Sequence, residues 1–428
     1  MIRDFWVENY LSIRDRQSIS FVSKSASDFL NVEIAPGVHL NKIGILYGAN
    51  ASGKSNMLFA IQDIFKLLYI PRTEISGEVI SKPPFELTKD KPTKMHISFY
   101  AESTRYDYDI EYCSAYIIKE TLNYYPNNSK ALFYERNYKG QNVRPIIKFG
   151  QSLELKSKTQ ETIKENTLNN HSVLSTFGKI SLNDDIHKFA SLYRWIEEHF
   201  QEVDGEILDN LVPELTSVFH DKKRFVFYKK MLKKADLNIS SFHPVAYKPK
   251  ISKKLQDLID NDEALQEDFK NQIIYNQDEN IRFVNNSKDG DFEVPRVYQS
   301  KGTLRYLNIL AFLYNLITSN QIYSIDELGE DLHYDLLLYY LNVFIYNSDK
   351  SQLIFTSQET SLLAEDLLNE HRDLVWFVDK DRDTASSQYS RGDSFGLHKN
   401  LSLYNSYKIG RLGAKPELGS PFIDFETE

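Results

Sequence analysis

Gly48-Ala49-Asn50-Ala51-Ser52-Gly53-Lys54-Ser55 decides the reading of this chain. The stretch satisfies G-x-x-x-x-G-K-[ST] at every fixed position, the pattern of a loop whose backbone N–H groups cradle phosphates. Its flanks agree. Upstream, Ile43-Gly44-Ile45-Leu46-Tyr47 is a short apolar run of buried-strand type; downstream, Leu58, Ile61, Phe65 and Leu68 recur at helical spacing. Strand, glycine-bearing turn and helix together aim N–H groups and the positive end of a helix at anionic oxygens. We expect Gly48, Asn50, Ala51, Ser52, Gly53, Lys54, Ser55 and Asn56 to hold ATP. Lys54 would reach the β/γ-phosphates as a catalytic group, and the Ser55 hydroxyl would ligate Mg²⁺.

The chain has 428 residues, which suits two lobes or one domain with a large insertion. At 41% hydrophobic and 26% charged, with 27 Tyr and 26 Phe, it has ample material for a core. Net charge is −9, so no global field draws it onto nucleic acid, and any DNA contact needs a local patch. One cysteine, Cys113, excludes an internal disulfide and a cysteine-based zinc site, and suits a reducing cytoplasm. The N-terminus lacks an apolar signal-peptide core, and the most apolar helix, over 304–317, is too short to span a bilayer. No membrane association is expected.

Residues 1–22 alternate in strand fashion around a polar turn at 12–16, and 95–136 reads as a meander of strands. From about 158 to 275 the spacing becomes helical, over 186–200, 206–234 and 253–275. A strand signal returns at 281–284. After it, helices over 303–318, 332–346 and 361–370 alternate with strands over 321–325, 352–356 and 373–378, the pattern of a parallel sheet that the phosphate loop should share. These boundaries divide the chain into 1–157, an inserted 158–275, and 276–428.

Ile322-Tyr323-Ser324-Ile325 runs into Asp326-Glu327, a Walker B pattern. Asp326 at the strand's C-terminal end stands where Mg²⁺ and its waters sit. Glu327, pointing elsewhere, is the candidate catalytic base for the attacking water. Ser300-Lys301-Gly302 opens a helix, and its exposed N–H groups and dipole make a second anion site; a serine there is also an ordinary N-cap.

These motifs are similar to those of known ATPases. Ser300 and Gly302 resemble the Ser-x-Gly signature of ABC-type ATPases, which lies across a dimer interface on the γ-phosphate of the other subunit. Asp326-Glu327-Leu328-Gly329-Glu330-Asp331-Leu332-His333 resembles the DE-x-E-x-x-LH stretch of SMC/RecF/OLD-like ABC ATPases, and Glu8-Asn9-Tyr10-Leu11-Ser12-Ile13-Arg14-Asp15 their opening N-F-x-S-F-x-D. Trp376-Phe377-Val378-Asp379-Lys380-Asp381 and Tyr407-Lys408-Ile409-Gly410-Arg411-Leu412-Gly413-Ala414-Lys415-Pro416 resemble the closing segments of bacterial RloA/AbiL-type AAA ATPases. Leu232-Lys233-Lys234-Ala235-Asp236-Leu237-Asn238-Ile239 resembles that family's "A-D-x-G-I" element. The likeness covers 1–136 and 298–428 well and the insert thinly. It implies the α/β fold of an ABC-type P-loop NTPase, with a mixed or parallel core sheet, an antiparallel β subdomain and a helical insertion. It implies a homodimer or higher homo-oligomer joined through ATP, acting in phage defence beside a separately encoded effector such as a TOPRIM-type nuclease. One position departs. Where the family has T-T-H-[NS], this chain has Thr356-Ser357-Gln358-Glu359, placing Gln358 at the switch histidine that meets the γ-phosphate. Glutamine hydrogen-bonds but carries no proton, so hydrolysis is expected to be slow.

Other signals are weaker. Asp379-Lys380-Asp381 resembles a TOPRIM D-x-D, but 47 residues follow it, and we read the acids as a solvated strand end. Lys222, Lys223, Lys229, Lys230, Lys233 and Lys234 form the best basic patch. The competing function is a RecF-like repair or recombination ATPase whose insert grips DNA directly; long heptad arms of a true SMC protein are absent from the sequence.

Overall fold

Alternation at the start of the chain becomes pairing. Ile2–Glu8 (β1) and Gln17–Ser20 (β2) run antiparallel with Phe5, Val7 and Ile19 buried. The computed structural model describes residues 1–25, 29–71, 79, 81–138, 140, 144–179, 186–201, 203, 218–245, 261–262, 281–398, 400–416 and 419–422. They form two compact units: Met1–Glu202, Ser319–Leu328 and Ile345–Glu428 make the first, and Val203–Thr318 with Gly329–Phe344 the second.

In the first unit a short hairpin, Asn31–Ala35 (β3) with Val38–Asn41 (β4), precedes the phosphate-loop strand Ile43–Gly48 (β5) and the helix Lys54–Tyr69 (α1). The expected apolar face of α1 is real: Leu58, Ile61, Phe65 and Leu68 are all buried. Each stabilises the unit by about 1.5–3 kcal/mol. Thr93–Ala101 (β6), Thr104–Tyr112 (β7), Ile117–Tyr124 (β8), Ala131–Asn137 (β9) and Ile146–Phe149 (β10) are the meander. With β1 and β2 they make an antiparallel sheet of order β10-β9-β8-β7-β6-β1-β2. Ser157–Asn166 (α2), Val173–Thr176 (α3) and His187–His199 (α4) follow. The loop before α3 is tied to the sheet by a buried ion pair, Arg136 with Glu120 at 3.4 Å, in which Arg136 also donates to the carbonyls of Leu168, Asn169 and His171.

Among the described residues, the first helix labelled in the second unit is Lys222–Lys234 (α5), capped by the Asp221 side chain. The segment expected to be helical also carries a strand, Ile239–Pro244 (β11), which pairs with Ile281–Asn285 (β12) and through it with Phe292–Pro295 (β13). Aromatic rings hold this sheet to α5: Phe242 meets Phe225 at 5.5 Å and Phe283 at 5.9 Å. The helix expected over 253–275 lies outside the described residues, apart from 261–262, and so does the start of the one expected over 206–234. Lys301–Thr318 (α6) ends the first segment of this unit.

The alternating C-terminal half supplies Ile322–Ile325 (β14), Tyr334–Asn347 (α7), Gln352–Ser357 (β15), Asp366–Glu370 (α8), Val375–Lys380 (β16), Ser387–Arg391 (β17) and Leu403–Lys408 (α9). A five-stranded sheet of order β14-β15-β5-β16-β17 results, parallel except for β17. β5 lies between strands from the far end of the chain, and the loop after it opens at the sheet's C-terminal edge, where α/β sheets bind ligands. Among the described residues no helix is long and apolar enough to cross a membrane.

Candidate nucleotide site

Close packing dictates the loop's glycines. A Cβ on Gly48 would sit 2.5 Å from both Ser52 Oγ and the Val378 carbonyl oxygen of β16. Gly53, at φ +103°, caps α1 in a conformation that side chains rarely adopt, and a Cβ there would collide with Ser387 Oγ and Ser12 Oγ. Ala51 is also left-handed, at φ 62°. The loop thus curls back over the start of α1. The Lys54 amine lies inside the curl and donates to the carbonyls of Gly48 (2.9 Å) and Ala49 (3.1 Å). Burial pushes its pKa below the ordinary lysine value, while the Glu327 and Asp326 carboxylates pull it back up. Ser52 Oγ is buried without a hydrogen-bond partner among the described residues. A buried hydroxyl left unpaired costs about 1–3 kcal/mol, so this cradle suits an oxygen-rich anion. Ser55 and Asn56 are half-buried in the first turn of α1. Asn56 donates to Ser12 Oγ at 2.6 Å, so its side chain secures the β1–β2 turn.

The carbonyl side of the loop is fastened by residues the sequence reading did not single out for the site. Ser387 Oγ donates to the Ser52 carbonyl (2.6 Å), and Tyr389 OH donates to the Gly53 carbonyl (2.5 Å). Ser12 Oγ and Ser387 Oγ are 2.6 Å apart. β17 therefore clamps the loop from behind. An open cavity of about 420 Å³ beside it is lined by Asn50, Ala51, Ser52, Lys380, Arg382 and Lys415, among others. Asp381 closes the turn after β16, accepting from Thr384 N (2.8 Å) and Oγ1 (2.6 Å). Those bonds hold its pKa below the usual carboxylate range.

β14 brings the acids to the same edge. Gln62 of α1 donates to the Ser324 carbonyl at 3.2 Å, tying the loop's helix to this strand. Register on β15 places Ile325 beside Phe355, so Asp326 falls next to Thr356. Thr356 Oγ1 donates to Asp326 Oδ1 (2.6 Å) and accepts from the Glu327 N–H (2.7 Å). Glu327, left-handed at φ 49°, turns its carboxylate to Gln358, whose amide donates to Oε1 at 2.5 Å. Lys54, Asp326, Thr356, Glu327 and Gln358 thus form one electrostatic group in the first unit. Thr356 was missed as a bridging residue because nothing in a strand's own sequence says which neighbour its hydroxyl meets.

Ser300 and Gly302 belong to the second unit. Ser300 Oγ accepts from the Thr303 N–H at 3.1 Å, the N-cap of α6. Gly302 packs on the turn after β14's acids, and a Cβ there would lie 2.6 Å from the Asp331 carbonyl oxygen. Exposed His333 stands 3.4 Å from exposed Asp335.

None of the curated proteins matches the chain. Among solved structures it is similar to an SMC head bound to the C-winged helix domain of ScpA, at 14% identity, 95% of this chain, 99% of that one and TM-score 0.43. It is also similar to the SMC head domain from Thermotoga maritima, at 11% identity, 91% of this chain, 98% of that one and TM-score 0.38. A family model described as "AAA domain, putative AbiEii toxin, Type IV TA system" matches residues 44–364. That span is about three quarters of the chain and runs from the phosphate-loop strand past β14 and β15, so the protein belongs to this family of AAA domains.

Proposed function

We propose that this protein binds ATP with Mg²⁺, hydrolyses it slowly, and assembles through the nucleotide into a homodimer or larger homo-oligomer. In that form it controls a separately encoded effector, a TOPRIM-type nuclease or similar, in cytoplasmic antiphage defence. The observation that carries the reading is the group Lys54, Asp326, Thr356, Glu327 and Gln358 gathered beside a glycine-built loop. The family's description, naming an AbiEii toxin of a toxin–antitoxin system, supports the defence setting.

Each residue's chemistry follows from its surroundings. Lys54 exchanges the Gly48 and Ala49 carbonyls for phosphate oxygens, a charge-assisted bond in place of a neutral one. Ser52 Oγ gains the partner it lacks. Ser55 and Asp326 are the residues that would hold Mg²⁺, which would supply charge neutralisation for the phosphates. Asp326 presents a carboxylate already fixed by Thr356, so little reorganisation is needed on binding. Glu327 orients the attacking water and takes its proton. Gln358 holds Glu327 through a neutral amide that cannot itself carry a proton, which leaves ATP binding rather than turnover as the signal. Ser300 and Gly302 of one subunit would complete the site of another.

Co-purification with the products of neighbouring genes, for the wild type and Lys54→Ala, tests the class. A partner retained only by the wild type is the expected result; equal retention, or none, rejects nucleotide-dependent control. Gln358→His should raise turnover. A wild-type rate typical of motor ATPases, unchanged in Gln358→Ala, would overturn the slow-hydrolysis reading.

A further inference from the structure

α5 turns a face of lysines to solvent. Lys222, Lys223, Lys229, Lys230, Lys233 and Lys234 are all exposed. At about 100° per residue these six and Val226 fall within an arc of about 140°. The helix contains no acidic residue. Asp221 before it is committed to the cap, accepting from the N–H groups of Lys223 (2.8 Å) and Arg224 (3.1 Å). Among the described residues none of the six lysines is in an ion pair.

The face is rigidly mounted. Tyr228, Met231 and Leu232 on the opposite side are buried, and Phe225 packs at tilted, edge-on angles against Phe219 and Phe242. Arg224 donates to Asn315 of α6 at 2.7 Å and lies 5.0 Å over the Tyr314 ring. These contacts use the helix's one arginine for anchoring and leave the lysines exposed, Lys229 with its ammonium 5.6 Å over the Phe225 ring. Six like charges side by side repel one another, and in a chain of net charge −9 they are conspicuous.

We propose that this face binds duplex nucleic acid through its phosphate backbone, without reading sequence. Lysine is a compact point charge that suits single phosphate oxygens, whereas base recognition uses the planar forks of Arg, Asn or Gln, none of which the exposed arc presents. Its one apolar member is Val226, so it offers no aromatic platform for unpaired bases. The face extends about 18 Å. Duplex DNA carries one charge per about 1.7 Å of axis, so that length spans about ten phosphates around both strands, a charge density of the same order as the lysine face. An acidic protein surface is the competing occupant; it offers less regular charge and needs a shaped interface, which a bare lysine face does not supply. All the residues belong to the second unit, so the inference does not depend on the nucleotide site.

Fluorescence anisotropy of a labelled duplex of about 30 base pairs with the full chain, without nucleotide, tests this. About six phosphate contacts give a log–log salt slope near −5 and about a thousandfold loss of affinity between about 50 and 200 mM salt. Changing all six lysines to Gln should bring the slope close to zero. The same change at Lys119, Lys148 and Lys158, exposed on the first unit, should leave it alone. Circular dichroism and thermal melting establish that both variants fold. A wild-type slope near zero, or equal weakening by the two sets of substitutions, overturns the proposal. So does polyglutamate displacing the duplex at equal charge concentration, which would assign the face to an acidic protein.

Discussion

Thr356→Val is the sharpest probe of the site. Thr356 is fully buried (0% exposed), and its hydroxyl links the Asp326 carboxylate to the Glu327 backbone. Valine has the same shape, so no cavity opens and only polar terms change. Losing a hydrogen bond to a carboxylate costs about 1.5–3 kcal/mol. Stranding the Glu327 N–H adds about 1 kcal/mol, the low end of the range, because Glu327 is half-buried and water reaches it. The sum is about 2.5–4 kcal/mol, readable in urea unfolding as a lower midpoint. Thr356→Ser keeps the hydroxyl and should lose only about 1 kcal/mol for the methyl group. Steady-state ATPase assays should show a fall of about a hundredfold for the valine variant, the usual effect of a misplacement near 1 Å, and close to wild-type turnover for the serine variant. A valine variant within about 0.5 kcal/mol of wild type, or a serine variant equally damaged, would refute the bridging role.

Arg136→Met should cost about 3–5 kcal/mol, because it leaves Glu120 as an uncompensated buried charge. Burial already raises the Glu120 pKa, with Arg136 opposing it. The folded state therefore binds more protons than the unfolded one just above the ordinary value, and stability falls as pH rises through that window. Removing the arginine widens the window, so the deficit should be larger at about pH 8 than at about pH 5, and a pH-independent deficit in urea unfolding would contradict the argument. Gly302→Ala forces a Cβ against the Asp331 carbonyl. It should abolish ATP-dependent assembly in sedimentation velocity while leaving nucleotide binding by the P-loop intact; normal assembly would reject the signature role.

What local pattern controls was legible in the sequence. The run Ile43 to Tyr47, the glycines and the spacing of Leu58, Ile61, Phe65 and Leu68 gave a strand, turn and helix that the structure contains. Alternation after residue 303 gave the parallel strands in their sheet. Contacts between distant segments were not legible. Ser387 and Tyr389 reach the loop because β17 reverses beside β16, and a short polar strand gives no local sign of its neighbour. β11 went unread because its partner β12 begins at Ile281, beyond a long intervening segment. The cations Lys380, Arg382 and Lys415 lie near the loop only after both C-terminal segments fold back.

The position of β5 also matters for how the protein is made. Both of its sheet neighbours, β15 and β16, come from residues beyond 350. At about 5–20 residues per second, a ribosome needs on the order of 15–60 s to pass from Gly48 to Gln352. For that interval the nascent P-loop strand, Ile43 to Tyr47, has no edge to pair with, and an apolar strand with two open edges invites association with other chains. Synthesis interrupted in that interval therefore leaves fragments with an unpaired, aggregation-prone strand, and the loop's surroundings assemble only after β15 and β16 have been made.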